Sequence, residues 1–171
     1  MKVGEKIKFM YSSYNKCAVV DTRNTIYIWG HNFQGFWVRH PTEFYQFEDK
    51  HILKWIEFGE KHGLALTEAG KIFAWGDGTY GELGDPSICL SEIPRWISFF
   101  HDQNIKVKTM SCGIRHSVVI DSEGKIYTFG DNSNSQCGLK IPRSEIPRKH
   151  ETTFKSIAVF SGQTHNYVKS D

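Results

Sequence analysis

Apolar residues fall along this chain as paired short runs, not as helical stripes or strict alternation. The pairs are Cys17-Ala18-Val19-Val20 with Ile26-Tyr27-Ile28-Trp29, Leu64-Ala65-Leu66 with Ile72-Phe73-Ala74-Trp75, and Val118-Val119-Ile120 with Ile126-Tyr127-Thr128-Phe129. Polar segments join them: Asp21-Thr22-Arg23-Asn24, Thr67-Glu68-Ala69-Gly70 and Asp121-Ser122-Glu123-Gly124. The Asn or Gly closing each segment tolerates positive φ, and the runs are β-branched and aromatic, so three antiparallel hairpins are predicted. Strands that are apolar on nearly every residue are buried on both faces, which requires sheets stacked against one another. Blades packed around an axis meet that requirement. No 3.6-residue period or helix cap supports a helical solenoid.

The hairpins belong to a longer repeat. Ser13-Tyr14-Asn15-Lys16, Gly59-Glu60-Lys61-His62, Gly113-Ile114-Arg115-His116 and Gly162-Gln163-Thr164-His165 start 46, 54 and 49 residues apart. At a fixed offset beyond the first three come Trp29-Gly30, Trp75-Gly76 and Phe129-Gly130. Pro41, Pro94 and Pro147 keep the same rhythm, the last two inside identical Ser-Glu-Ile-Pro-Arg segments at 91–95 and 144–148. Residues that recur at matched offsets are read as scaffold: Gly59, His62, Trp75, Gly76, Gly113, His116, Phe129, Gly130, Gly162 and His165. The 171 residues form one repeat domain, with approximate units 7–55, 56–106, 107–153 and an incomplete 154–171.

Bulk properties narrow the classes. The chain is 39% hydrophobic and 14% aromatic, which suits a packed all-β protein, and its net charge of +2 offers no strong field for nucleic acid or an acidic membrane. No signal-peptide core or membrane-length run is visible, so an intracellular setting, cytoplasmic or nuclear, is expected. Cys17, Cys89, Cys112 and Cys137 form no C-x-x-C pair and occupy unmatched positions, and they are read as free thiols.

The motif Gly-x-x-His, then Gly-Lys-Ile-aromatic-x-Trp-Gly-Asp, then Tyr80-Gly81-Glu82-Leu83-Gly84, resembles the regulator of chromosome condensation repeat. The resemblance runs over 56–84 and 107–138 and reappears at 157–168. Over 7–37, Ser13 and Lys16 stand where Gly and His are expected. A tryptophan–aspartate repeat propeller would need Trp-Asp pairs, whereas here the tryptophans precede glycine. The resemblance implies four-stranded antiparallel blades, so the fold expected is an all-β partial β-propeller of about three and a half blades. Further parts of such a ring would come from another chain, another domain or additional sequence, and an isolated arc would expose apolar blade surface.

The candidate chemistry is thin. Gly76-Asp77-Gly78-Thr79-Tyr80-Gly81 spells G-x-G-x-x-G after a strand, yet no helix can readily start at Glu82-Leu83-Gly84-Asp85-Pro86 to hold a pyrophosphate. The matching loops 30–35 and 130–135 carry Asn at the second Gly position, which points to a positive-φ turn. His62, His116 and His165 lie on successive blades, too far apart for a shared zinc, and are expected to hydrogen-bond backbone between blades. No nucleophile elbow, H-E-x-x-H or paired-carboxylate motif occurs, so no catalytic residue, cofactor or metal site is expected. The basic stretch Lys140, Arg143, Arg148 and Lys149 is interrupted by Glu145 and Glu151 and is read as a solvated loop.

The hairpin topology places the Gly-x-x-His loops and the loops after Trp-Gly on one rim. Lys61, Arg115, Asp77, Asp131 and His31 are therefore the candidate partner-binding residues. The expected function is a non-catalytic interaction or scaffold module that binds a protein partner there. The resemblance adds an alternative, since some members of the family are guanine-nucleotide exchange factors for the small GTPase Ran and bind nucleosomes. A third reading is a structural subunit of a large cytoskeletal or ciliary assembly, with neighbouring subunits completing the ring.

Overall fold

The computed structural model describes residues 6–13, 15–31 and 36–171. Among the described residues, fourteen strands and one short helix follow the repeat. The first sheet contains β1 (Ile7–Ser12), β2 (Lys16–Asp21), β3 (Thr25–His31) and β4 (Trp37–Gln46) in that order. The second contains β5 (Leu53–Phe58), β6 (His62–Thr67), β7 (Ile72–Asp77) and β8 (Leu90–Trp96). It begins at Leu53, ahead of the unit boundary expected at 56. The third contains β9 (Val107–Cys112), β10 (His116–Asp121), β11 (Ile126–Asp131) and β12 (Arg143–Lys149). The fourth is the two-stranded pair β13 (Ser156–Ser161) and β14 (Asn166–Ser170). All pairings are antiparallel. β5, β9 and β13 pack beside one another as the inner strands of successive blades.

The predicted hairpins form as read. Asn24, Gly70 and Gly124 take φ of 60°, 77° and 85° at the three turns. Each turn also holds the next blade: Leu53 N–H donates to Asn24 Oδ1 at 3.1 Å, Val107 N–H to Gly70 O at 3.0 Å, and Ser156 N–H to Gly124 O at 3.0 Å. Every residue of β6 and β10 is buried, as strands apolar on both faces require.

The repeated Ser-Glu-Ile-Pro-Arg segment is a bulge in the outer strand. Ala74 pairs with Arg95 and Gly76 with Ser91, so three residues of β8 face Trp75 alone. Thr128 with Arg148 and Gly130 with Ser144 repeat the arrangement opposite Phe129. Ser91 Oγ donates to Ile93 O at 2.7 Å and Ser144 Oγ to Ile146 O at 2.8 Å, closing each bulge where Pro removes a ladder donor.

One element escaped the sequence reading. Helix α1 (Ser98–Asp102) links the second and third blades and buries Phe100, which shares a core with Leu66, Ile72, Met110, Val119 and Tyr127. A second core between the first two blades gathers Val20, Ile26, Leu53, Ile56, Phe58 and Trp75. Between the third blade and β13 the core shrinks to Val118, Ile120, Ile126 and Val159.

Candidate functional site

Each Gly-x-x-His segment turns the chain from an inner strand into the next strand of its blade. The His62 ring folds back over Gly59 and the His116 ring over Gly113, where any Cβ would collide with the imidazole. That close approach is why glycine stands three positions before histidine. The rings then reach across the seam between blades. His62 Nε2 lies 3.1 Å from Ser117 Oγ, and Ser117 Oγ donates its own proton to Glu82 O at 3.0 Å. The hydroxyl therefore accepts, and His62 carries its proton on Nε2. His116 Nε2 lies 2.9 Å from Asn166 Oδ1, while Asn166 Nδ2 donates to Gln136 O at 2.6 Å, which gives His116 the same tautomer.

The expectation of bonds to backbone is corrected: these latches end on side chains, in each case the residue just after the next blade's histidine. Burial, with repulsion from His116 and Lys16 added, lowers the His62 pKa to about 3, and burial lowers that of His116. Both rings are neutral hydrogen-bond donors near pH 7. His165, just before β14, is exposed, its ring edge-on to Tyr167 at 5.3 Å.

Lys16 takes the histidine's place in the first blade, and its buried Nζ donates to Glu60 O in the second and to Asn15 Oδ1 at 3.0 Å. Burial lowers its pKa to about 8, with Glu60 opposing. No hydroxyl waits for it, because the residue after His62 is Gly63. A Cβ at Gly63 would lie 2.5 Å from Trp75 Cζ2 across the strand pair, whereas Ser117 faces the smaller Phe129. Trp75 and Phe129 are both fully buried.

The loops after Trp-Gly lie at the same end of the blades as the Gly-x-x-His segments. His31, Asp77 and Asp131 N–H donate to Asn15, Lys61 and Arg115 O at 2.7, 2.8 and 2.8 Å. Asp77 is thus brought beside Lys61 and Asp131 beside Arg115, while His31 is tied to Asn15, and the side chains differ in what they do. Asp77 Oδ1 accepts Thr79 N–H at 2.9 Å and Thr79 Oγ at 2.5 Å. Asp131 accepts Ser133 N–H, Ser133 Oγ and Gln136 Nε2 at 3.0, 3.1 and 3.0 Å. Both aspartates are engaged in shaping their own loops. The His31 ring lies edge-on to Trp37 at 5.4 Å.

Lys61 is exposed. The Arg115 guanidinium lies 4.9 Å from the Tyr80 ring centre, donates to Tyr80 Oη at 3.2 Å and meets Glu60 at 3.6 Å. This Glu60–Arg115–Tyr80 cluster spans two blades.

A second expectation is corrected at the G-x-G-x-x-G loop. Positive φ falls on Gly76, Gly81, Gly130 and Ser135, and not on Gly78 or Asn132. Asn132 instead ties its loop together, donating to Leu139 O and Ile141 O at 2.8 and 2.6 Å and accepting Cys137 N–H at 2.8 Å. Asn32 and the rest of 32–35, like Tyr14, lie outside the described residues.

The middle residues of successive Gly-x-x-His segments are joined through backbone. Glu60 N–H donates to Ile114 O at 3.0 Å and Ile114 N–H to Gln163 O at 3.2 Å. These residues line a cavity of about 410 Å³ between the inner strands, together with Tyr11, Ser13 and Cys112. Among the described residues no three His, Cys, Asp or Glu side chains gather as a metal site, and no helix is long and apolar enough to cross a membrane. All four cysteines are free thiols. Sequence reasoning missed Ser117, Asn166, Tyr80 and Glu82. The signal for the first two was a polar residue directly after the recurrent histidine.

Radially packed four-stranded antiparallel sheets, sealed by one latch per seam, define an arc of a β-propeller. The sequence profile of the regulator of chromosome condensation (RCC1) repeat matches residues 69–120 and 123–168, and a second profile of that repeat matches 107–136. The chain belongs to this repeat family. Protein RCC1 of Candida albicans is 31% identical over 147 residues, covering 72% of this chain and 32% of that protein. The probable E3 ubiquitin-protein ligase HERC6 of Homo sapiens is 33% identical over 124 residues, covering 70% of this chain and 12% of that protein. The chain thus spans a third or less of these relatives. The crystal structure of Prp20p from Saccharomyces cerevisiae superposes with a TM-score of 0.84 at 21% identity, over 96% of this chain and 43% of that one. At that identity the likeness concerns the fold.

Proposed function

We propose that this chain is a protein-interaction module whose partner docks on the rim where the Gly-x-x-His loops converge. The observation that carries this reading is the backbone ladder Glu60–Ile114–Gln163. Main-chain bonds hold these loops, so their side chains are free to differ from blade to blade, and a rigid scaffold with variable polar loops suits recognition. Lys61 supplies an exposed cation, and Arg115 a guanidinium oriented by Tyr80 and Glu60. Asp77 and Asp131 serve as loop formers beneath them. A groove of about 390 Å³ beside β14, lined by Ile126, Thr128, Cys137 and Val168, gives a neighbouring β-surface a place to extend the arc.

The test is capture of partners from a cell extract by the full chain and by Lys61→Glu and Arg115→Glu, with thermal unfolding measured in parallel. The reading predicts loss of a specific partner at unchanged stability. Unchanged capture by both variants overturns it.

Guanine-nucleotide exchange on a small GTPase is the second reading, favoured by the similarity to Protein RCC1 and to Prp20p, whose structure was described with its binding to Gsp1p and histones. Exchange needs docking surface and no acid–base group. It predicts faster release of labelled GDP from a Ran-type GTPase, and no acceleration at micromolar protein removes it.

A further inference from the structure

The hairpin turns close the end of the arc opposite the Gly-x-x-His loops, and each inner strand starts there. The repeat places lysine twice at that start. Lys6, Ile52, Lys106 and Lys155 stand at one position, and Lys8, Lys54, Lys108 and Ile157 stand two residues on. The residue between them in the last three blades, Leu53, Val107 or Ser156, is buried. Side chains two apart on a strand share a face, so a buried residue between turns both lysines outward. All six lysines are exposed.

The backbone fixes where these amines stand. Thr22 N–H donates to Lys6 O at 3.0 Å, Ser122 N–H to Lys106 O at 2.8 Å and Asp171 N–H to Lys155 O at 3.2 Å. The second lysine of a pair reaches along the arc: Lys8 Nζ donates to Leu53 O, and Lys54 Nζ to Lys108 O at 3.3 Å. An ammonium has three donors, so each such bond orients the amine and leaves protons for another acceptor.

The carboxylates of the hairpin turns do not neutralise the row. Asp21 accepts Arg23 and Thr25 N–H, Asp121 accepts Glu123 and Lys125 N–H, and Glu123 is held by the Lys125 amine. Glu68 is exposed, as is Asp171 after β14. Among the described residues none of the six lysines forms an ion pair.

We propose that this end of the arc docks an acidic protein segment, an extended run of aspartate and glutamate laid across the inner strands from blade to blade. Residues two apart on a strand stand about 7 Å from one another and packed sheets about 10 Å, which an extended chain spans every two or three residues. The net charge of +2 makes these cations a local feature, not part of a general field. Every cation at the two positions is lysine, a compact point charge suited to single carboxylates. Nucleic-acid grooves add rings on which bases stack. The rings that follow Lys8 and Lys54, Phe9 and Trp55, stack on each other at 5.9 Å.

The test is fluorescence anisotropy with the full chain, a dye-labelled oligoglutamate peptide and a labelled oligothymidine of equal length. The peptide should bind, and added salt should weaken it. Lys54→Glu/Lys108→Glu should weaken binding about tenfold. Lys106→Glu/Lys155→Glu, which breaks no side-chain bond among the described residues, should do the same, with thermal unfolding showing that each variant is folded. Arg39→Glu/Lys140→Glu reverses as much charge on exposed residues near the other end and should leave binding within about twofold. No binding of the peptide, an equal loss in the Arg39/Lys140 variant, or tighter binding of the oligothymidine overturns the proposal. Lys61 and Arg115 are untouched in every variant, so failure here leaves the rim reading as a separate question.

Discussion

The seams on either side of the second blade solve one problem with different chemistry. Between the second and third blades, neutral His62 donates to Ser117. Between the first and second, Lys16 reaches the Glu60 carbonyl. The difference traces to one residue and its cross-strand neighbour. Trp75 fills the space a hydroxyl would need, so its partner is Gly63, and a longer amine reaches past it to backbone. Phe129 leaves room, and its partner is Ser117. A residue that departs from a repeat can thus preserve the contact while changing the means.

The comparison breaks most sharply at Gly63. Gly63→Ser should destabilise the chain by about 3 kcal/mol through overpacking, with partial recovery in Gly63→Ser/Trp75→Phe, read by chemical denaturation. Removing the latch in His62→Ala should cost about 2 kcal/mol by leaving a cavity and a Ser117 hydroxyl that keeps its bond to Glu82 O but loses its donor. Lys16→Met should change stability by less than about 1 kcal/mol at neutral pH, since losing the bond also removes the burial of a charge.

Acid should separate the seams. His62 has a pKa of about 3 in the fold against an ordinary 6.5, so the unfolded chain takes up the proton first as pH falls. That stability is complete above about 6.5 and is lost on the way down to about 3. Lys16, lowered to about 8, is charged in folded and unfolded chain alike throughout that window. Hydrogen exchange in mild acid should therefore open the β6–β10 seam before the β2–β6 seam. The smallest effect belongs to the rim, where Lys61→Glu should leave stability within about 0.5 kcal/mol.

The hairpins were legible because their cause is local: apolar runs, β-branched residues and a positive-φ closure at Asn24, Gly70 and Gly124. The same-rim placement of Lys61, Arg115, Asp77, Asp131 and His31 followed from hairpin topology alone. What each side chain does there depends on neighbours distant in sequence, and the letters did not carry it. Asp77 stands at the rim and also accepts Thr79, and Glu82, one letter of a loop motif, accepts Ser117 at its carbonyl; neither bond is written in the letters. Helix α1 was missed because five residues are too few for a periodic signal.

The claim at the centre is that histidine and the residue after the next histidine seal the seam as a coupled pair. A double-mutant cycle on unfolding free energy with His62→Ala, Ser117→Ala and the combined variant measures that coupling directly. The account predicts a coupling of about 1 kcal/mol. Single effects that add to within about 0.3 kcal/mol would contradict it.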